Sequence, residues 1–329
     1  MKPKFVIQWH ITHKCNLRCK HCYQEDYSKD LNEEMLVDLF YQCKAFLEKN
    51  HYFGHFNFTG GEPFLSPSLW RLLDLCEANG NTFGILTNAT VLDEETVARL
   101  ATYTRLRFVQ ASVDGAKERH DEIRGAGNFE RTMQGLELLR KHGIQTMVSF
   151  TCSKENQHEL KKVIRLCEKN KIDRFWTDRL VPIGKNELTC MTTTEYRAYL
   201  KVLAKEAKRA AFFPWIRTKV HTHRAMQFIC DSKECGYMCS AGKKLITILA
   251  DGTILPCRRL PLVMGNALEK PIADIMDKNS VLEHFKCLED PEDCRSCKYR
   301  KRCHSGAKCL TYAVTGKLNE KDINCWKNS

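Results

Sequence analysis

The chain has no apolar run of 18 or more residues, and charged residues begin at Lys2. Neither a membrane-spanning helix nor a secretory signal peptide is legible, so a cytoplasmic, soluble protein without a membrane partner is expected. A long Lys/Arg block is absent too. The 52 basic and 40 acidic residues, net +12, are mixed along helical stretches, so nucleic acid is not the expected partner, although a basic balance suits acidic ones. Eighteen cysteines in 329 residues come without a secretion signal and fall in tight groups, and they read as metal ligands before disulfides. With 43% apolar residues the chain can bury a sizeable core. Its length exceeds the usual ~100–200 residues of one domain, so a large barrel with an appendage, or two domains, is expected.

One donor is missing from the first cysteine group. Lys14-Cys15-Asn16-Leu17-Arg18-Cys19-Lys20-His21-Cys22-Tyr23 supplies three thiols, spaced Cys-x3-Cys-x2-Cys, after a β-like run (Phe5–Thr12) and before a helical stretch. Fe–S clusters normally take four thiolates. Cys15, Cys19 and Cys22 therefore leave one iron open to another ligand. A zinc knuckle completed by His21 is the alternative that the triplet alone leaves open.

Candidate strands Phe5–Thr12, His55–Thr59, Thr82–Thr87, Leu106–Ser112, Gln145–Thr151 and Arg174–Val181 alternate with helical periodicity. This predicts an α/β fold with a parallel sheet and crossover helices. Asn32 is placed to cap the first helix, whose apolar stripe runs from Met35 to Leu47. Asn128 is read as the cap of a helix that stops at Gly143. Cys43, Cys76 and Cys167 lie on helical faces and are expected in the core. Six β–α units suggest a partial, open (β/α)6 TIM-like barrel with its chemistry in the loops at strand C-termini. Those loops hold Phe58-Thr59-Gly60-Gly61-Glu62-Pro63, Thr87-Asn88-Ala89, and Ala111-Ser112-Val113-Asp114-Gly115 followed by Arg124. The paired glycines let backbone approach a ligand without a Cβ in the way.

Composition changes after residue 229, with ten cysteines in the last hundred residues. Cys235-x3-Cys239 precedes a hairpin turning at Asp251-Gly252, which delivers Cys257. Cys294-x2-Cys297-x5-Cys303-x5-Cys309 and Cys325 complete the set. Eight thiols can hold two fully ligated [4Fe–4S] clusters, with two zinc-ribbon sites as the alternative. The domain reading is 1–210 for the barrel, 211–234 for a bridging segment marked by Phe212-Phe213-Pro214-Trp215, and 235–329 for the Cys-rich domain.

Together these stretches resemble radical S-adenosylmethionine (SAM) enzymes with a C-terminal SPASM domain, in the peptide-maturase and anaerobic sulfatase-maturase branches. The resemblance implies that the open iron chelates SAM and that cluster reduction cleaves SAM to a 5′-deoxyadenosyl radical. It assigns Gly60, Gly61 and Glu62 to the SAM amino group, and Ser112 and Arg124 to its carboxylate and ribose, for which a charge-assisted Arg–carboxylate pair gives a physical reason. Thr87, Asn88 and Asp114 join the cofactor site by motif, with Ala89 departing from a usual glycine. Auxiliary cluster I would use Cys235, Cys239, Cys257 and Cys309, and cluster II Cys294, Cys297, Cys303 and Cys325. Cys230 remains open as a replacement for Cys235, and x5 before Cys309 departs from the usual x3. Three oxygen-sensitive [4Fe–4S] clusters imply an anaerobic setting.

The activity implied is oxidative modification of a small ribosomally made precursor peptide, by a thioether or carbon–carbon cross-link or a related change, with flavodoxin or ferredoxin as electron donor. Fourteen residues precede Cys15, too few for an N-terminal leader-binding domain, so the precursor is expected to be bound by the barrel mouth, by the bridging segment around Phe212 to Arg224, or through a separate leader-binding protein. Arg258-Arg259 stand where the sulfatase-maturase branch has an acidic base, so formylglycine formation is not expected and no catalytic base is assigned. Two alternatives stay open: oxidation of a small molecule or porphyrin, as in haem-biosynthesis relatives, and a non-catalytic Fe–S or zinc binding protein.

Overall fold

Alternation of apolar with polar residues makes β1 (Lys4–His10), which buries Phe5, Ile7 and Trp9 on one side and turns Gln8 and His10 to the other. The computed structural model describes residues 2–25, 30–229 and 237–327. β2 (Phe53–Thr59), β3 (Thr82–Thr87), β4 (Leu106–Ser112), β5 (Thr146–Cys152) and β6 (Arg174–Arg179) follow in spatial order, each parallel to the last. Between them run α1 (Glu33–Lys49), α2 (Leu69–Ala78), α3 (Glu94–Ala101), α4 (Lys117–Arg124), α5 (Asn128–Lys141) and α6 (Leu160–Lys169), and α7 (Thr193–Phe212) follows β6. This is the partial α/β barrel that the alternating pattern predicts.

Local signals explain most boundaries. Asn32 caps α1 by accepting the Met35 N–H at 2.9 Å, and Leu36, Leu39, Phe40, Cys43, Phe46 and Leu47 form its buried face. Asn128 is not a cap. Gly127, at φ +76°, opens α5, and Asn128 is its first helical residue, donating Nδ2 to the carbonyls of Arg124 and Gly125. Gly143, at φ +72°, ends that helix as expected. Cys43, Cys76, Cys152 and Cys167 are all buried.

The segment read as a bridge holds one more strand, β7 (Lys219–His221), parallel to β6. At the other edge, β8 (Leu245–Ile248) pairs in parallel with β1, Val6 opposite Leu245 through Trp9 opposite Ile248. β9 (Thr253–Leu255) returns antiparallel across a turn at Gly252, φ +84°, and β10 (Gly265–Asn266) follows. The Cys-rich region therefore continues the barrel's own sheet, in the order β10-β9-β8-β1-β2-β3-β4-β5-β6-β7. Ile246, Ile248, Ile254 and Ile272 share one apolar core with Phe5, Trp9 and Phe56. Short helices α8 (Ile272–Asp277), α9 (Ser280–Lys286), α10 (Glu292–Arg295), α11 (Arg300–Cys303) and α12 (Lys308–Thr315) complete the tail. A second tie is Arg179 of β6, whose guanidinium donates to both Asp322 oxygens at 2.5 and 2.7 Å and to Asn324 Oδ1 at 2.9 Å.

The strand faces opposite the helices mix polar residues, Gln8, His10, Asn57, Gln110, Ser112, Ser149 and Asp178, with Val6, Leu86, Phe108, Met147 and Trp176. Trp176 Nε1 donates to Gln110 Oε1 at 2.8 Å across this interior. A closed eight-stranded barrel fills its interior with branched apolar layers; a partly polar one is suited to a ligand. Among the described residues, no helix is long and apolar enough to cross a membrane.

Candidate active site

The three-thiol loop leaves β1 at its C-terminal end, where a barrel carries its chemistry. Each sulfur receives one N–H donor: Leu17 N–H to Cys15 Sγ and Gln24 N–H to Cys22 Sγ, both at 3.4 Å, and Arg124 Nη1 to Cys19 Sγ at 3.6 Å. Sulfur is a weak acceptor as a thiol and a good one as a thiolate, so these donors suit a ligated state. Burial pushes the Cys15 thiol up to about 11, with Glu62, Cys19 and Cys22 adding to the effect. Three thiolates crowded in this way require a cationic centre among them. His21 is engaged elsewhere, its Nε2 lying 2.7 Å from Asp114 Oδ2. Among the described residues, no three His, Cys, Asp or Glu side chains converge closely enough to hold a single metal ion. A cluster, whose corners are separate irons, suits a wider set.

The glycine pair acts on this loop. A Cβ on Gly60, which sits at φ +139°, would lie 2.4 Å from the Thr12 carbonyl oxygen, and one on Gly61 would lie 2.1 Å from that of Lys14. The pair makes a close approach to the thiol loop's own backbone, sealed by Gly61 N–H to Thr12 O at 2.8 Å and Glu62 N–H to Lys14 O at 2.7 Å. Glu62 is fully buried. Its carboxylate accepts from Thr87 Oγ1 at 2.7 Å and Asn88 N–H at 2.8 Å. Burial pushes its carboxyl up to about 7 against those donors. Asn88 Nδ2 reaches Asn16 Oδ1 at 2.9 Å, and Thr90 joins both asparagines. Asn16 and Thr90 escaped sequence reading because each is an ordinary polar loop residue. Ala89 stands at φ +62°, which explains why glycine fits this position; alanine there costs about 1–2 kcal/mol.

Asp114 is engaged by protein groups. It is completely enclosed, with Oδ2 accepting from Arg124 Nε at 2.6 Å and lying against His21, and with Oδ1 accepting the Thr151 N–H at 2.9 Å. Burial opposes its ionisation, but Arg124 and His21 hold the carboxyl well below the usual carboxylate range. Arg124 is thereby fixed between Asp114 and Cys19, so its observed contacts serve the thiol loop. Ser112 lies 3.3 Å from Ser149 on the barrel interior. His120 is buried edge-on against Phe129, a structural residue.

In the tail, Cys239, Cys257 and Cys309 form one electrostatic group: burial pushes Cys309 up to about 11, Arg259 opposes this, and Cys257 and Cys239 reinforce it. Cys235 and Cys230 lie outside the described residues. Cys294, Cys297, Cys303 and Cys325 form the other group, in which burial first, and then Asp322 and the other three thiols, push Cys303 up to about 12. The two additional residues before Cys309 are accommodated by His304, Ser305 and Gly306, all left-handed between α11 and α12. Tyr23 connects the regions, since it follows Cys22 and its hydroxyl feels Arg259, Cys309 and Cys257.

Between these regions opens a cavity of about 380 Å³, lined by Cys22, Gly60, His10, Tyr23 and Arg258 among others. Arg259 is engaged by Asp178 and donates to the Arg179 carbonyl at 2.7 Å. Arg258 donates to the Tyr23 carbonyl at 2.7 Å, and burial lowers its pKa.

Residues 9–167 match the family model of the radical SAM superfamily, and residues 239–303 that of the SPASM iron-sulfur cluster-binding domain. The AdoMet-dependent heme synthase of Methanosarcina barkeri is 28% identical over 97% of this chain and 95% of that protein. Mycofactocin maturase MftC of Mycobacterium ulcerans is 27% identical over 97% of this chain and 87% of its own length. Among solved structures, native anSMEcpe with bound AdoMet and Cp18Cys peptide superposes with a TM-score of 0.79 at 20% identity, covering 98% of this chain and 94% of that one. That likeness is one of fold.

Proposed function

The chain is a radical SAM enzyme with a C-terminal SPASM domain, and from that premise we propose that it oxidises a small molecule of the porphyrin class, with peptide modification as the second reading. A [4Fe–4S] cluster on Cys15, Cys19 and Cys22 would supply reductive cleavage of SAM, and with it the radical that removes a hydrogen atom from an unactivated carbon. The chain's own residues hold that centre. Asp114 fixes Arg124 on Cys19, while Gly60 and Gly61 bring the Glu62–Thr87–Asn88 network against the thiol loop. Two auxiliary clusters, on Cys235, Cys239, Cys257 and Cys309 and on Cys294, Cys297, Cys303 and Cys325, would bring the total to three and accept the electron that an oxidised substrate gives up.

The observation that carries the substrate reading is Arg258, a guanidinium in the cavity at the position after Cys257. A cavity of about 380 Å³ admits a side arm of a porphyrin rather than the whole macrocycle. Similarity over nearly the full chain to proteins named AdoMet-dependent heme synthase supports the same choice. Mycofactocin maturases of comparable similarity, and neighbours of the same fold bound to peptides, support the second reading.

The test is anaerobic incubation of reconstituted protein with SAM, dithionite and an iron porphyrin bearing propionic side chains. 5′-Deoxyadenosine above the substrate-free rate, with a changed porphyrin mass, is the expected result. Stimulation only by a short precursor peptide encoded beside the gene would replace this reading with the second. No 5′-deoxyadenosine under any condition would remove the catalytic reading.

A further inference from the structure

We infer that Arg258, with His10 beside it, forms a carboxylate-binding subsite that anchors one anionic arm of the substrate; this deepens the proposed small-molecule reading and rests on it. The two adjacent arginines differ in what they meet. Arg259 is paired with Asp178, which Arg224 also approaches at 3.8 Å. Arg258 has no carboxylate within ion-pair distance among the described residues. Its contacts are the Tyr23 carbonyl, a neutral acceptor, and the Tyr23 ring, 5.3 Å from the guanidinium carbon. Cys22, Cys257 and Glu25 attract it from beyond ion-pair distance, so a half-buried guanidinium with no paired carboxylate is left for a ligand's carboxylate to engage.

The acidic residues lining the same cavity, Glu25 and Asp251, are both exposed at its rim, where water screens them. Deeper in, His10 reaches the cavity from the end of β1, close enough to feel the charge of Arg258. Its Nε2 is buried with no hydrogen-bond partner. An imidazole and a guanidinium lining one cavity suit a carboxylate, with Arg258 supplying charge and His10 a second polar group near it. Cys22 and Gly60 line that cavity as well, so an anchored arm would lie beside the cluster loop.

The full chain, reconstituted anaerobically, is titrated with two probes: benzene-1,3,5-tricarboxylate, which needs no macrocycle pocket, and coproporphyrin III beside its tetramethyl ester. Wild type, Arg258→Gln, Arg258→Lys and His10→Phe are compared, with thermal melting to exclude misfolded variants. Wild type should prefer acid to ester, and Arg258→Gln should weaken the acid probes about tenfold or more, with partial rescue in Arg258→Lys. SAM affinity is measured in parallel. Equal affinity of wild type and Arg258→Gln for tricarboxylate overturns the subsite, as does weakened SAM with unchanged probe binding, or no tricarboxylate binding by wild type. Tricarboxylate binding that depends on Arg258, with no porphyrin binding, keeps the subsite and removes the porphyrin reading. Should Arg258→Gln not fold, Arg258→Lys and His10→Phe carry the comparison, and unchanged affinity in both overturns it.

Discussion

Replacing Asp114 by Asn should destabilise the barrel by about 3–5 kcal/mol, the cost of removing one member of a buried ion pair. The figure follows from geometry. Asp114 is wholly enclosed and holds Arg124 at 2.6 Å and His21 at 2.7 Å, while the Arg124 side chain is only 10% exposed. The substitution leaves that guanidinium buried beside a neutral amide and removes contacts worth about 1.5–3 kcal/mol each. Thermal unfolding of the reduced, cluster-free protein, followed by circular dichroism, should show a midpoint roughly 6–20 °C lower, at about 2–4 °C per kcal/mol for a large domain. The sign of the pH dependence is fixed as well. The folded carboxyl is held well below its unfolded value of ~3.9, so its contribution is complete above that value and is lost only as pH falls through the depressed folded pKa. Adding Arg124→Gln to the variant should cost less than the two single changes summed, because no unpaired charge remains. A variant within about 1 kcal/mol of wild type would refute the assignment of Asp114 as the clamp on Arg124.

Glu62 should give the opposite pH trend. Its folded pKa of about 7 lies above the ordinary 4.5, so its contribution to stability is full below 4.5 and falls by about 3 kcal/mol as pH rises through 7; urea titrations at pH 5 and 8 should show this fall, and a fall that persists undiminished in Glu62→Gln would count against it. Gly61→Ala drives a Cβ against the Lys14 carbonyl and should lower the iron content of reconstituted protein by about four, one [4Fe–4S] cluster; iron content equal to wild type would refute it. Arg179→Met breaks the buried pair with Asp322 and should weaken docking of the tail by about 3–5 kcal/mol, read as faster limited proteolysis after α7, and an unchanged digestion pattern would contradict it.

Much of the barrel was legible because strand and helix periodicities differ and each crossover helix carries its own punctuation. Thr82–Thr87 and Leu106–Ser112 coincide with the expected runs, and the turn at Gly252 with its hairpin signal. The pairing of β8 with β1 was not legible, since local pattern does not report which distant edge a strand will join. β7 was missed because three residues carry almost no periodicity. Asn128 was misread as a cap because Gly127, already left-handed, does that work. At the site, the motif residues converge, but motif membership could not separate residues facing a ligand from residues holding the loop. The contacts seen for Glu62, Thr87 and Asp114 are with the loops around the thiols. The uneven engagement of Arg258 and Arg259 depends on where Asp178 emerges from β6, about eighty positions earlier in the chain.

The parallel seam between β1 and β8 also constrains how the molecule is made. β1 finds its second neighbour only after roughly 240 further residues have been synthesised, and closing so long a loop slows assembly. Until then its edge is open beside the loop that carries Cys15, Cys19 and Cys22. Truncation anywhere before Leu245 therefore leaves an unsealed edge next to the three-thiol loop, a template for aggregation.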